Sequence, residues 1–425
     1  MRKVLIIGHN VFDERTAFGK TLSSFFQDWD PNKLAQIYFH SEVPTSHICN
    51  HYYRITDKDI LNSILRPWGK CVGKVFNKND IKDGRSSSRT DSGVTRKLYS
   101  LGRKRTSGIY LARNAVWTLG NYKNDALINW IRDFSPDVIF FAAGDYAFAY
   151  DLTRFIAHDF NIPVIMYCCD DYYINRLNPD SKLSNIVYKG LMKSVNRLST
   201  YVAAIITICD KMTEEYKKIF DVPIYTVYTG YSHSGNPEGN GDGIVYLGNL
   251  GFSRYSSLID IGKALQRIDR RYFIHVYSAE ERPHILEQLN KENGIIFHGS
   301  VDKDDVIRII SESMLVVHTE SFLEQNIYKI QYSVSTKIAD LLASGRCIFA
   351  YGPNNIASME YLLDNDAAFV VNSKDELIDA LRNALTQPYI REKRIQNAKR
   401  LAEDNHSPMV VTQKIREIID NVGAL

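Results

Sequence analysis

Hydrophobic and polar positions in the 425-residue sequence follow two alternating patterns. Short runs of apolar residues recur along the chain, and longer stretches with helical spacing of apolar residues separate them. This alternation is typical of parallel strands joined by helices and predicts an α/β fold with doubly wound sheets. The predicted strands are 4–7, 36–39, 138–142, 164–168, 203–208 and 224–227, then 244–247, 273–277, 295–297, 315–318, 347–350 and 368–371.

A polar stretch separates the two sets of strands. Residues 229–243, TGYSHSGNPEGNGDG, contain five glycines and one proline, which is a linker composition. We predict a first Rossmann-like domain at 1–228, a linker at 229–243 and a second Rossmann-like domain at 244–405. A C-terminal helix at 406–425 is predicted to cross back to the first domain. The chain length fits two domains.

Composition and charge exclude several classes of protein. With 44% hydrophobic and 24% charged residues, the chain is globular in composition, and a formal charge of +3 does not indicate a nucleic-acid-binding protein. The six cysteines include no CxxC pair, which favours reduced thiols and a cytoplasmic protein. No run approaches the roughly 20 apolar residues of a membrane helix, so membrane contact is expected to be peripheral, at the inner face.

Positive charge concentrates in one segment of the predicted first domain. Residues Arg66 to Arg105 include twelve basic and three acidic residues, interspersed with apolar ones. One interpretation is a basic insertion that contacts anionic lipid head groups. The other is a solvated insertion without a partner. No RNA-binding motif accompanies the charge, so nucleic acid is not an expected partner.

Candidate ligand-binding residues in the first half follow predicted strands. Gly8 and His9 come directly after the first strand, where backbone amides can face a ligand. Asp170 and Asp171 follow the strand VIMYCC, where a carboxylate can bind or deprotonate a hydroxyl group. The structural alternatives are a turn glycine and a helix-capping carboxylate. A GxGxxG motif is absent, which disfavours a nicotinamide-dinucleotide site.

The second half has a stronger set of candidates. Gly248 and Asn249 follow a predicted strand, Arg254 comes soon after, and Ser335, Thr336 and Lys337 open a predicted helix. Hydroxyl groups and cations beside a helix N-terminus suit a diphosphate, although Ser335 can instead be a simple N-cap. Asp340, one turn further on, can reach a ribose hydroxyl. No histidine, cysteine or acidic spacing indicates a metal site.

Four segments resemble a known family: GNLGFSR, FHGSVDKDDV, STKIADLLASGRCIFAYGP and MEYLLDNDAAFVV. They are similar to the C-terminal domain of GT-B glycosyltransferases, specifically family 4 and the capsular or cell-surface polysaccharide enzymes near it. The resemblance implies a GT-B fold with two domains facing a cleft. It also implies that a sugar is transferred from a nucleotide sugar, with UDP as the expected nucleotide, to a glycan or lipid-linked acceptor. The expected reaction retains the configuration of the anomeric carbon and needs neither a metal nor a cofactor.

The resemblance also implies roles for individual residues. Arg254 and Lys337 match the basic pair that neutralises the departing diphosphate, and Gly8 matches the loop that closes over the donor. Asp340 falls at the ribose-binding glutamate, and Glu360 lies in the matching segment after the next strand. The sequence departs from the family at Tyr332, where a first glutamate is expected, and at Asn249, where many members have a basic residue. Glu320 or Glu324 are candidates to replace the missing acid.

Three alternatives stay open at this point. An inverting enzyme would need a base, for which Asp170 or Asp171 are the candidates. A GT-B nucleotide-sugar epimerase would act on free sugar nucleotides, which do not require a basic surface. A non-catalytic GT-B subunit that binds a glycan or a partner glycosyltransferase is favoured by Tyr332 and disfavoured by Arg254 and Lys337.

Overall fold

A computed structural model describes residues 1–13, 16–65, 72–81, 106–175, 181–235 and 241–423. The chain divides into two compact units, Met1–Val227 with Thr412–Leu425, and Tyr228–Val411. Most of the basic segment Arg66 to Arg105 lies outside the described residues, and the part that is described, 72–81, belongs to the first unit. The binding roles predicted for the two domains stay predictions.

The first unit contains an eight-stranded sheet with helices between its strands. Its strands are β1 (Val4–Gly8), β2 (Leu34–Tyr38), β3 (His51–Arg54), β4 (Lys74–Asn77), β5 (Val138–Ala143), β6 (Val164–Cys168), β7 (Val202–Thr207) and β8 (Ile224–Thr226). Its helices are α1 (Ala17–Phe26), α2 (Asp57–Leu65), α3 (Ser107–Leu119), α4 (Asp125–Phe134), α5 (Ala147–Phe160), α6 (Lys182–Leu198) and α7 (Asp210–Tyr216). Strands β1, β2, β5 and β6 are buried along their whole length, as their apolar runs predict.

The second unit contains a six-stranded parallel sheet. Its strands are β9 (Gly243–Leu247), β10 (Ile274–Tyr277), β11 (Ile295–Gly299), β12 (Ser313–Thr319), β13 (Cys347–Tyr351) and β14 (Ala368–Val371). Its helices are α8 (Arg254–Ile268), α9 (Pro283–Leu286), α10 (Lys303–Ser311), α11 (Glu324–Ile330), α12 (Lys337–Ala343), α13 (Ala357–Asp364), α14 (Leu377–Thr386) and α15 (Pro388–His406). Two hydrophobic clusters cover the two faces of this sheet.

The last helix, α16 (Pro408–Asn421), begins in the second unit and continues in the first. Within the first unit, the Thr412 hydroxyl donates a hydrogen bond to Asp28 Oδ2 over 3.1 Å. The Arg2 guanidinium donates to the carbonyl oxygen of Val422. These contacts attach the end of the chain to the N-terminal unit.

Strand order locates the edge of each sheet at which a ligand is expected. The orders are β4-β3-β2-β1-β5-β6-β7-β8 in the first unit and β11-β10-β9-β12-β13-β14 in the second. The direction of strand addition therefore reverses between β1 and β5, and again between β9 and β12. In open parallel sheets, ligands bind beyond the carboxyl ends of the strands at such reversal points. Gly8 follows β1, Gly248 follows β9 and Glu320 follows β12.

Candidate functional site

The turn after β9 brings backbone atoms against the first residue of α12. Gly248 has a φ of +150°, a conformation that residues with a side chain rarely adopt. A Cβ atom at this position would lie 1.6 Å from Lys337 Nζ, so a larger residue would force the lysine ammonium group out of its present place. The same Nζ lies 5.1 Å from the centre of the Tyr246 ring. The structure therefore places Gly248 and Lys337, both predicted donor-binding residues, side by side.

Arg254 and Glu320 form a bidentate ion pair next to this turn. Arg254 Nε donates to Glu320 Oε2 over 2.8 Å, and Arg254 Nη2 donates to Oε1 over 3.0 Å. The side chains are only 13% and 4% exposed. A third donor, Nη1, contacts Asn249 Oδ1 at 3.2 Å. Because a guanidinium carries five N–H groups, two remain for a ligand.

Burial perturbs the ionisable groups of this cluster. Burial and the neighbouring Arg254 charge, partly opposed by Glu320, together lower the pKa of Lys337 to about 8. Burial raises the pKa of the Glu320 carboxyl, and the attraction of Arg254 and Lys337 counteracts that rise. His318 has a pKa of about 3, because of its burial and the two cations, and is neutral. Lys337 is therefore a cation at neutral pH that lacks a full counter-charge.

A cavity of about 750 Å³ opens beside the cluster. Its walls are the segments that follow β9, β10 and β11, together with one residue of α10. Sequence reasoning identified the β9 turn but missed the other walls, although their position after adjacent parallel strands was a usable signal. The lining residues not predicted as donor contacts are Leu247, Leu250, Gly251, Phe252, Tyr277, Ser278, Ala279, Glu280, Arg282, Ser300, Val301 and Val306.

An ion pair fixes one rim of this cavity. Glu280 accepts hydrogen bonds from Arg282 Nε over 2.7 Å and from Arg282 Nη2 over 2.6 Å. The hydrogen bonds from Arg282 lower the pKa of Glu280 to about 2, so this carboxylate stays ionised at neutral pH. The backbone of Ser278 donates to the carbonyl oxygen of Gly299 over 2.8 Å, which ties the ends of β10 and β11 together.

The remaining predicted residues of the second unit have other surroundings. Asp340 Oδ1 accepts the backbone N–H of Ser232 over 2.8 Å. Thr336, not Ser335, is the N-cap residue of α12, and its side chain makes no capping hydrogen bond. The carbonyl oxygen of Ser335 accepts the Ile338 N–H over 2.9 Å. Glu324 is exposed at the start of α11, and Glu360 is half-buried in the first turn of α13.

In the first unit, Gly8 and His9 lie at the β1–β5 reversal point. A Cβ atom at Gly8 would lie 3.2 Å from Ala142 Cβ, so the close packing of β1 on β5 favours glycine. The His9 ring stacks on Tyr146, which follows β5, with ring centres 5.6 Å apart. These residues form a second candidate binding edge, within the first unit.

The two aspartates after β6 differ in their environment. Asp171 accepts the backbone N–H groups of residues 173, 174 and 175 at 2.7 to 3.1 Å, and the Tyr216 hydroxyl at 3.1 Å. It therefore caps a loop, which is the structural alternative given for one of the pair. Asp170 is exposed beside it. Of the two candidate bases, Asp170 is the more exposed residue.

Neither a metal-binding cluster nor a membrane-spanning helix is found among the described residues. No group of three or more histidine, cysteine, aspartate or glutamate side chains within the described ranges is arranged to hold a metal ion. Among the helices of the described segments, none combines the length and the apolar character needed to cross a bilayer.

Comparisons with known proteins agree with the fold. Residues 262–417 match a family model described as "Glycosyl transferase-like". Anabaena HepE, crystallised with UDP, is 12% identical, with a TM-score of 0.63 over 98% of this chain and 99% of HepE. WaaG, a glycosyltransferase of lipopolysaccharide biosynthesis, is 12% identical, with a TM-score of 0.54 over 98% and 100%. TarM is 11% identical, with a TM-score of 0.62 over 99% of each chain.

A sequence search of curated proteins finds no match. At identities of 12% or less, the structural matches establish architecture, and they confirm the α/β fold predicted from the sequence. The chain has the GT-B glycosyltransferase fold, and its residues 262–417 match the glycosyl transferase-like family model.

Proposed function

We propose that this protein is a glycosyltransferase that binds a nucleotide-diphosphate sugar in its second unit. The observation that carries the proposal is the pairing of Lys337 with Gly248 at the β9–β12 reversal point, beside Arg254. A lysine with a pKa of about 8, because burial disfavours its charge, gains most from a ligand that supplies negative charge. The diphosphate of a nucleotide sugar is such a ligand, and the 750 Å³ cavity provides room for its nucleoside.

UDP is the nucleotide we expect. HepE has been crystallised with UDP and with UDP-glucose, and a TarM variant with UDP and alpha-GlcNAc-glycerol. These ligands belong to those proteins. They support the proposal because the same fold holds the reversal point at which Lys337 and Arg254 lie here.

In the proposed reaction, the bond between the anomeric carbon and the diphosphate oxygen breaks as an acceptor hydroxyl forms the new glycosidic bond. Negative charge grows on the departing diphosphate, and Lys337 with the two open N–H groups of Arg254 stabilises it. In a retaining transfer, which the family resemblance favours, the hydroxyl proton passes to the departing diphosphate. In an inverting transfer, Asp170 would accept that proton.

We further propose that the acceptor is a glycan or lipid-linked glycan, met at an anionic membrane surface in surface polysaccharide synthesis. The basic segment Arg66 to Arg105 motivated this hypothesis, and helix α6 in the first unit adds support. This helix contains no acidic residue, and its exposed Leu183 and Ile186 are 50% and 54% accessible. Its four basic residues form no ion pair with a described residue; they are Lys182, Lys189, Lys193 and Arg197.

Spacing places most of these groups on one face of α6. Intervals of three or four residues separate Lys182, Ile186, Lys189 and Lys193, so these side chains lie on one face. Leu191 and its neighbours on the opposite face are buried. Basic residues beside exposed aliphatic ones suit a bilayer containing anionic lipid, with a contribution of about 1 kcal/mol from each cation near the surface.

The membrane hypothesis is tested by vesicle sedimentation. Lys189→Gln/Lys193→Gln should bind vesicles of 30% phosphatidylglycerol about tenfold or more weakly than the wild type, and salt should weaken wild-type binding. Lys263→Gln/Lys291→Gln removes the same charge from exposed positions of the second unit and should bind like the wild type. Equal binding by both double variants would reject α6 as a membrane contact.

The donor proposal is tested by nucleotide binding followed by turnover. Thermal unfolding is measured with UDP, GDP and ADP and with their sugar conjugates, because a ligand of the folded state raises the melting temperature. A selective shift with one nucleotide supports the donor site, and sugar release or transfer then tests catalysis. Binding without any turnover would favour the non-catalytic GT-B subunit that Tyr332 suggests. No shift with any nucleotide would contradict the donor site.

A further inference from the structure

The edge strand of the second sheet contains an irregularity beside the cavity. Val276 of β10 pairs with Phe297 of β11, but Tyr277 pairs with Gly299, so His298 is an extra residue. Gly299 has a φ of +76°, a backbone conformation that favours glycine. Such bulges redirect a side chain and occur frequently next to active sites. Here the redirected side chain is the imidazole of His298.

The bulge brings three aromatic rings into contact. The rings of His298 and Tyr277 lie 4.5 Å apart, centre to centre, with an interplanar angle of 9°. The rings of His298 and His275 lie 5.1 Å apart with an angle of 14°. His275 Nδ1 and His298 Nε2 are 2.9 Å apart, so one ring donates a hydrogen bond to the other. The hydrogen bond therefore places His275 at the edge of the His298 ring, whereas Tyr277 stacks on the face of that ring.

The three rings differ in their relation to the cavity. Tyr277 lines it, whereas His275 and His298 are not among its lining residues. Any effect of the two histidines on a bound molecule must therefore pass through Tyr277. Desolvation lowers the pKa of the half-buried His275 and of the exposed His298, which favours the neutral forms, in which one ring donates its N–H to the other.

We propose that His298 is a positioning residue for nucleotide binding: bulged out of β11 and bonded to His275, it fixes the Tyr277 ring as a preformed flat wall for the planar base of the nucleotide. The inference rests on the proposed donor site and goes beyond it in assigning a function to residues that do not touch the ligand. A wall that is already oriented in the free protein reduces the ordering cost of binding.

The proposal predicts different results for two substitutions at the same position. His298→Ala removes the ring that supports Tyr277, and the dissociation constant for UDP should rise threefold to tenfold, the range expected for one stacked aromatic pair. His298→Phe keeps a ring at the bulge and should restore the constant to within twofold of the wild type. His275→Ala keeps the stack on Tyr277 but loses the hydrogen bond, and should give an intermediate value.

The test is isothermal titration of UDP into the full-length protein, with melting temperatures measured in parallel. His284→Ala, at an exposed histidine of α9 in the same unit, is the matched control and should bind like the wild type. Weakening by His298→Ala with rescue by His298→Phe supports the proposal. Wild-type affinity in His298→Ala, or equal loss in both His298 variants, overturns it. If the wild type binds no nucleoside diphosphate, the proposed donor site itself is wrong. This outcome differs from failure of the His298 proposal, in which the wild type binds UDP and the His298 variants do not behave as predicted.

Discussion

The lowered pKa of Lys337 predicts that a rise in pH weakens nucleotide binding but increases the free energy of unfolding. Burial and Arg254 lower the pKa of Lys337 from 10.5 to about 8 in the free protein. If a diphosphate binds only the protonated form, nucleotide affinity should fall as the pH rises through 8. Between pH 7.5 and 9.5 the protonated fraction falls from about three quarters to about 3%, so the affinity for UDP should fall about 25-fold.

Fold stability should change in the other direction. The unfolded-state pKa of a lysine is about 10.4, above the folded-state value, so the unfolded chain binds more protons between pH 8 and 10.4. The contribution of Lys337 to the free energy of unfolding should therefore increase as the pH rises through this window. A shift from 10.5 to about 8 corresponds to a full gain of about 3 kcal/mol, of which about 2 kcal/mol falls between pH 7.5 and 9.5.

Two measurements between pH 7.5 and 9.5 test these predictions together: titration calorimetry gives the affinity for UDP, and urea unfolding gives the free energy of unfolding. Free UDP begins to lose its uracil N3 proton at the alkaline end of this range, an effect common to the wild type and Lys337→Met, so the difference between the two proteins reports Lys337. Lys337→Met should lose UDP binding by tenfold or more and should remove the stability gain. Lys263→Met, at an exposed lysine of the same unit, should leave both profiles unchanged. A UDP affinity that stays constant up to pH 9.5 would refute the assignment of Lys337 to the diphosphate.

Other substitutions separate binding from folding. Arg254→Ala leaves the buried Glu320 carboxylate unpaired and should lower the free energy of unfolding by about 3 kcal/mol, measured by urea titration; Arg254→Ala/Glu320→Ala should recover most of it. Gly248→Ala should weaken UDP binding at least tenfold in calorimetry, because its Cβ would displace the lysine ammonium group. Asp171→Ala should lower the melting temperature, because the loop loses its capping carboxylate; a lower turnover in Asp170→Asn would identify that carboxylate as a base. Unchanged values in any of these variants would contradict the corresponding contact.

The apolar runs of the sequence predicted the interior strands because those strands are buried on both faces. All twelve predicted strands overlap a strand of the structure. Strands β3 and β4 were missed: their sequences, HYYR and KVFN, contain charged or polar end residues and no apolar run. Both lie toward one edge of the sheet, where less burial leaves a weaker pattern.

Local motifs identified individual site residues but not their pairing. Gly248 and Lys337 were recognised from a turn and a helix start, yet their direct contact depends on how α12 packs on the sheet. Glu320 was named as a candidate replacement for a missing acid, and the structure pairs it with Arg254, 66 residues away in sequence. The loop-capping hydrogen bonds of Asp171 likewise depend on the backbone path after β6, which residue types alone do not specify.

The most direct test of the central claim is a crystal structure of the protein with UDP. We predict that the diphosphate oxygens lie within hydrogen-bond distance of Lys337 Nζ and of an open N–H group of Arg254, with the nucleoside in the cavity beside Tyr277. UDP bound elsewhere, with neither cation contacting its diphosphate, would contradict the donor site proposed for the second unit.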